Sequence, residues 1–401
     1  MIEGTCDPAF ALVRDEFARN FDERGEVGAS VCIIAGGRTV VDLWGGIADR
    51  RTGRRWDRNT LVLVWSATKG ATALCAHILA SRGRLDVDAS VAVYWPEFGS
   101  AGKDAIPVRW LLDHQAGLPV VRAPLRPGEL YEWPSMAARL AVQAPMWEPG
   151  TRQGYAAQTF GFLVGELVRR IDGRDLGSFF REEIAGPRDL DFWMGLPDEH
   201  HARVAPTIRP DPRPAGEPAW RFLVAAQREP DGIAGLILRN TGRRLDPHDH
   251  DSPEAYRAVL PGQGGIANAR SLAGLYTPLA SSDASLVDGD SLARMGRVSS
   301  ASACDAVLLV GMRFGLGFMK SADNRRAGPG ATDSIILGEA AFGHAGMGGS
   351  IGFADPAAGL AFGYAMNKQG RGVLLNTRGQ SLVDAAYKCV GCRSDISGSW
   401  C

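Results

Sequence analysis

The chain has 401 residues, 45% hydrophobic and 22% charged, which is enough apolar surface for a large core and far from the balance that keeps a chain disordered. Its 44 Lys and Arg against 45 Asp and Glu leave no basic excess to hold a nucleic-acid backbone or an anionic membrane. No stretch approaches the ~20 apolar residues of a membrane span and the first residues lack the basic and apolar regions of a secretory signal, so a cytoplasmic globular protein is expected. The seven cysteines are scattered and odd in number, and are read as core residues and free thiols. Cys389-Val390-Gly391-Cys392 is a lone CxxC with no second pair, read as tail thiols.

In chain order, Phe10, Leu12, Val13, Phe17 and Phe21 recur at helical spacing among charged residues, which predicts that a surface helix from Pro8 to Glu23 begins the fold. Ala29–Ala35 and Thr39–Trp44 are β-rich runs around Gly36-Gly37-Arg38 and predict a hairpin. Ser66 opens a helix that runs through Ala71, Leu74, Cys75, Ile78 and Leu79 to about Gly83 and is apolar on most sides, hence buried. From about Pro107 to Ser282, helical stretches such as Phe160–Ile171 alternate with Pro-, Gly- and Arg-rich loops, notably Thr207–Ala219 and Arg239–Pro253, read as mobile covers over a site. Gly349–Ala354 and Leu360–Met366 form a second hairpin around 355–359, and a closing helix runs from about Thr377 to Tyr387. Strands at both ends with helices between them predict one sheet assembled from the two termini.

Ser66-Ala67-Thr68-Lys69 is an S-x-x-K at a helix start. Residues three apart share a helix face, so the hydroxyl and the amine can meet. The free N–H groups of the first turn are available to a developing oxyanion, and a desolvated lysine near the positive end of the dipole gives up its proton more readily. Alone the tetrapeptide is weak, because it arises by chance in most chains of this length and reads more readily as a capped helix with an exposed lysine.

The surroundings change that weight. Leu63-Val64-Trp65 precedes the serine; Ser81-Arg82-Gly83-Arg84-Leu85-Asp86, Tyr94-Trp95-Pro96, Leu111-Leu112-Asp113-His114-Gln115-Ala116-Gly117-Leu118-Pro119 and Glu148-Pro149-Gly150 ahead of Gly154-Tyr155 follow in order. With these motifs the chain resembles the serine β-lactamase and penicillin-binding superfamily, most closely the class C-like branch that includes family VIII carboxylesterases and related acyltransferases. The resemblance spans roughly Ala29 to Asn367. It implies an α+β, β-lactamase-like fold: an antiparallel sheet flanked by helices, formed by residues 1–105 and 283–401, with an all-helical insertion, 106–282, whose loops cover the active site.

It further implies a Ser66 nucleophile with Lys69 and Tyr155 as a proton-transfer pair, the phenol being helped toward ionisation by the Lys69 charge. The stretch Gly343-His344-Ala345-Gly346-Met347-Gly348-Gly349 stands where the family has its K-T-G strand or the esterase W/H-x-G counterpart. The N–H groups of Ser66 and Met347 would form the oxyanion hole, and His344, Ala345, Gly346 and Trp65 would line the substrate site. His114 is read as bracing the loop behind the serine helix, and Gly262-Gln263-Gly264-Gly265 as a structural glycine turn before a helix.

Two departures bear on substrate. Tyr155-Ala156-Ala157 replaces the family's Tyr-x-Asn, and His344 replaces the K-T-G lysine, so the amide and the cation that would hold an antibiotic are missing. The expected substrate is a small-molecule ester, with amides second; the alternatives are an acyltransferase on a specialised metabolite, a β-lactamase or D-aminopeptidase-like amidase, and a non-catalytic ligand-binding homologue. No metal and no cofactor are required, and the oligomeric state is left open. Two decoys are set aside. Gly348-Gly349-Ser350-Ile351-Gly352 matches G-x-S-x-G but continues as strand and turn, where a nucleophile elbow must turn into a helix; His248-Asp249-His250-Asp251 and His200-His201 lie in polar segments without a third ligand at metal spacing.

Overall fold

The computed structural model describes residues 2–242, 249–281, 285–394 and 399–401; His248 and the boundary expected at 282/283 lie outside these. Seven strands form one sheet: β1 (Ile2–Cys6), β2 (Gly28–Ala35), β3 (Arg38–Asp49), β4 (Arg54–Arg55), β5 (Phe342–Ala345), β6 (Ile351–Asp355) and β7 (Leu360–Met366). Their order is β1-β3-β2-β7-β6-β5, with β4 on the end of β3, and every pairing is antiparallel. The β2–β3 turn has Gly36 and Gly37 at φ +55° and +76°, the positive pair that a tight hairpin needs. β2 then pairs with β7 from Ala29↔Met366 to Ala35↔Leu360, which joins the two chain ends in the sheet centre.

The fold begins with a strand, not with the helix expected first. Ile-Glu-Gly-Thr-Cys carries no alternating pattern of its own, and becomes β1 only because β3 offers an edge, in register from Ile2↔Gly45 to Cys6↔Val41. The expected helix follows as the 3₁₀ turn Pro8–Phe10 and α1 (Ala11–Asp22).

Side chains alternate across the sheet. Val31, Ile33, Phe353 and Phe362 enter one apolar cluster with Val13 and Phe17 of α1 and Leu382 and Val383 of the closing helix. Cys32, Ala354, Ala361 and Ala365 enter another. That second face is made of small residues, and Ala269–Ala280, the helix after the Gly262–Gly265 turn, lies directly on it: a Cβ at Gly363 would stand 2.1 Å from the Ala269 carbonyl and one at Gly352 2.7 Å from the Tyr276 ring.

The serine helix, α2 (Thr68–Ser81), is buried from Thr68 to Leu79 and packs on α3 (Thr159–Asp172). We label Ala269–Ala280 α4 and the closing helix, Thr377–Cys389, α5. Between Pro107 and Ala280 the segments Phe192–Trp193 and Ile266–Ala267 are short strands, so the insertion is not all helical; Ile266–Ala267 pairs with both Phe192–Trp193 and Val62–Leu63, just ahead of the serine. The loop Thr207–Ala219, expected as a mobile cover, is tied down. Ile208 N–H donates to Asn367 O, Gln369 N–H donates to Ile208 O, and Lys368–Asp211 and Arg371–Glu217 are ion pairs of 2.6 and 2.7 Å. Among the described residues no helix is long and apolar enough to cross a membrane.

Candidate active site

From Leu61 to Leu79 every residue is buried except Ser66. Ser66 sits in the 3₁₀ turn Trp65–Ala67 that runs into α2. Trp65 takes φ +50°, a left-handed conformation that a bulky residue holds only when its surroundings over-determine it. Those surroundings are explicit: the Thr68 hydroxyl donates to Trp65 O at 2.5 Å and accepts Gly265 N–H at 2.8 Å, while Val64 N–H donates to Gly265 O at 2.9 Å. The glycine turn thus braces the serine turn. Ser350, the decoy nucleophile, is buried and donates to Val64 O at 3.0 Å, and the chain after it continues as β6.

Lys69 is fully buried. Its Nζ lies 3.2 Å from Ser66 Oγ, 2.8 Å from Ala157 O and 2.6 Å from Gly262 O. Burial, with no acid among the described residues to oppose it, holds the amine well below its usual pKa. A neutral amine has two N–H donors and one lone pair, and the two carbonyls can only accept. The lone pair therefore remains for the Ser66 hydroxyl.

Tyr155 places its ring 4.8 Å from Lys69 Nζ, so the three residues share one cleft. The phenol is not pulled down by a neighbouring cation, as the sequence suggests it should be. Burial pushes it up, the nearby Ser66 hydroxyl opposes this, and the charge of Asp305 adds to it. The Tyr155 hydroxyl has no hydrogen-bond partner of good geometry among the described residues.

His344, on β5, is fully buried, with its ring 6.1 Å from that of Tyr155. Its Nδ1 bonds Ala345 O at 2.7 Å, and its Nε2 has no hydrogen-bond partner among the described residues; burial is the main cause that lowers it to about 3. It is a neutral imidazole where the family's lysine would be a cation. Ala345 and Gly346 are buried beside it; Gly346 abuts the serine turn, since a Cβ there would lie 2.2 Å from Val64 O. Trp65 packs with Met347 and, at 4.8 Å between ring centres, against His250. The Gly346–Gly349 segment is an i to i+3 turn, Gly349 N–H to Gly346 O at 3.0 Å, with Gly348 at φ +86° as type II requires. The Met347 N–H finds no main-chain acceptor among the described residues.

Asp305 was not legible in the sequence. Its buried carboxylate accepts Tyr155 N–H at 3.1 Å, Gln153 Nε2 at 3.0 Å, and the N–H groups of Val307 and Leu308 at 2.9 Å each, fixing the tyrosine segment. A lone acid in an apolar run carries no spacing signal for this. His114, at φ +65°, accepts Ala156 N–H on Nδ1 at 3.2 Å and packs on Tyr155; it braces the tyrosine loop, not the loop behind the serine helix. Asp251 accepts Thr207 N–H at 2.9 Å, and His201 contacts Leu196 O at 3.1 Å.

An antiparallel sheet beside a helical layer, with a buried S-x-x-K turn between them, defines a serine hydrolase of the β-lactamase-like superfamily. The chain belongs to the beta-lactamase family, whose family model, described as Beta-lactamase, matches residues 14–386. It is similar to the esterase/beta-lactamase LipL of Mycobacterium tuberculosis, 35% identical over 376 residues, 91% of this chain and 82% of that protein. Among solved structures it is similar to a penicillin-binding protein homologue from Caulobacter crescentus (TM-score 0.84, 36% identity, 97% of this chain and 100% of that one). A family VIII carboxylesterase gives a TM-score of 0.83 at 36% identity, with 97% and 100% coverage.

Proposed function

We propose that the protein hydrolyses small carboxylic esters through a Ser66 acyl-enzyme. The observation that carries the reading is the Ser66 Oγ to Lys69 Nζ contact of 3.2 Å at an amine whose other two neighbours are carbonyls. Lys69 takes the Ser66 proton as Oγ attacks the ester carbon. The oxyanion is held by the N–H groups of Ser66 and Met347. On collapse the ester C–O bond breaks, the alkoxide leaves as an alcohol with a proton passed back through the Lys69 and Tyr155 pair, and water repeats the sequence to release the acid and free Ser66.

Esters are favoured over lactams because Ala157 and the neutral His344 offer neither the amide nor the cation that an antibiotic's side-chain amide and carboxylate call for. The similar family VIII carboxylesterase supports the same choice, while LipL is named for both activities. Capture of the acyl group by an alcohol in place of water is the second reading, and acyl-thioester donors with candidate alcohols separate the two. A cytoplasmic location is part of this proposal, supported by the free state of all seven cysteines.

The test is turnover of a p-nitrophenyl short-chain ester with intact-mass detection of the acyl adduct. Ser66→Ala is expected to remove the adduct and lower kcat by about 10³-fold or more, while Ser350→Ala keeps both. The reverse result overturns the assignment.

A further inference from the structure

We propose that Asn376 is the positioning residue of the oxyanion site, clamping the turn that carries the Met347 N–H to the N-terminus of α5. The inference rests on the reading of Met347 given above and adds a residue to it.

Gly346 C=O accepts Gly349 N–H, and Gly346 N–H donates to Ser350 O at 2.7 Å. Because the peptide is planar and trans, a carbonyl turned into the turn sends the Met347 N–H out of it. The aim of that donor therefore depends on the turn holding its shape. Gly348 and Gly349 both have positive φ, +86° and +116°, and such a glycine turn has no stiffness of its own.

Besides main-chain bonds such as Gly348 N–H to Gly372 O at 3.4 Å, a side chain holds it. Asn376 Nδ2 donates to Gly348 O at 2.5 Å, and Asn376 Oδ1 accepts Gly379 N–H at 3.0 Å as the cap of α5. The Gly348 carbonyl takes a second bond from Gly370 N–H at 2.8 Å. The amide sits so close to the glycines that a Cβ at Gly349 or Gly370 would stand 2.3 or 2.4 Å from Nδ2. Asp, Ser and Asn cap helices about equally well, so capping does not call for an amide here; only an amide both accepts from the helix and donates to the turn. α5 in turn is packed into the core through Leu382, Val383 and Ala386, which references the oxyanion donor to a rigid element.

Asn376→Asp keeps the cap and loses the donor; Asn376→Ser keeps a capping oxygen that is too short to bridge. In folded Asn376→Asp at pH 8, kcat for a p-nitrophenyl ester is expected to fall about 10- to 100-fold, with KM within about twofold. The preference for an ester over its thionoester should shrink by a similar factor, since sulfur gains less from the N–H donors. Lowering the pH should raise the kcat ratio of Asn376→Asp to wild type, because the protonated acid again offers a donor to Gly348 O. A role in capping alone predicts the opposite sign, as the carboxylate is the better partner for a helix N-terminus.

A fluorophosphonate adduct at Ser66 in the wild type checks the underlying reading separately, and its absence sinks that reading. An adduct at Ser66 together with unchanged kcat and thionoester preference in both variants overturns the role of Asn376 alone. Should Asn376→Asp fail to fold, Asn376→Ser decides by the same kcat and thionoester readouts. Loss of the folded state in both also overturns the proposal, by assigning Asn376 to stability.

Discussion

Lys69 is buried without an acid partner among the described residues, and this sets both the pH behaviour and a stability cost. Its amine is held well below its ordinary pKa by burial, so kcat/KM is expected to rise with pH through that depressed value and then stay flat, since Tyr155 is pushed upward and no acid limb follows near neutrality. The linkage has a definite sign. Between the depressed folded pKa and the ordinary value of 10.5 the unfolded chain binds a proton that the folded one does not, so stability rises with pH, by about 1.4 kcal/mol per unit for this group. Urea unfolding of wild type and Lys69→Met at pH 7 and 9 measures it: the difference, wild type minus variant, should grow toward alkaline pH, and a difference independent of pH would mean that the amine stays protonated. The S-x-x-K spacing makes this pair legible in the sequence, since both residues fall on one turn of one helix. Asp305, which orients Tyr155 from 150 residues away in sequence, is invisible there because its role lies in main-chain N–H groups that no residue pattern records.

At the level of elements, the seat of α4 on β6 and β7 depends on small side chains. Gly363→Ala would bring a Cβ to 2.1 Å from the Ala269 carbonyl, backbone that cannot swing aside, and is expected to cost about 1–3 kcal/mol, read as a lower urea midpoint; an unchanged midpoint would show that the helix slides freely. The same helix follows the Gly262–Gly265 turn that bonds Lys69 and Thr68. Both hairpins and the helices α1, α2, α3 and α5 could be read from periodicity and turn residues. β1 and the two-residue strands around Val62, Phe192 and Ile266 could not, because so short a strand is defined by its partner and carries no pattern of its own.

For the molecule as a whole, the closing device is the buried ion pair of Arg378 on α5 with Glu26 between α1 and β2, 2.6 Å apart with side chains 6% and 0% exposed. Tyr364 of β7 donates to the other Glu26 oxygen, and Arg378 also bonds Lys368 O at 2.6 Å. The clamp joins the first and last parts of the chain. Arg378→Met leaves a buried carboxylate without its cation and is expected to lower the unfolding free energy by about 3–5 kcal/mol, while adding Glu26→Gln should recover part of it; a loss unaffected by the second change would show that the two groups do not act together. The residues of the sequence by themselves determined the fold class and singled out Ser66, Lys69 and Tyr155 as the candidate site, because these reside in local spacing and in the order of motifs. Only the tertiary structure decided the burial of Lys69 and Tyr155, the partners of Asp305 and the grip of Asn376 on the Gly346–Gly349 turn. Burial and contacts between residues far apart in the chain exist only once the sheet has closed, and they set charge and geometry at the site.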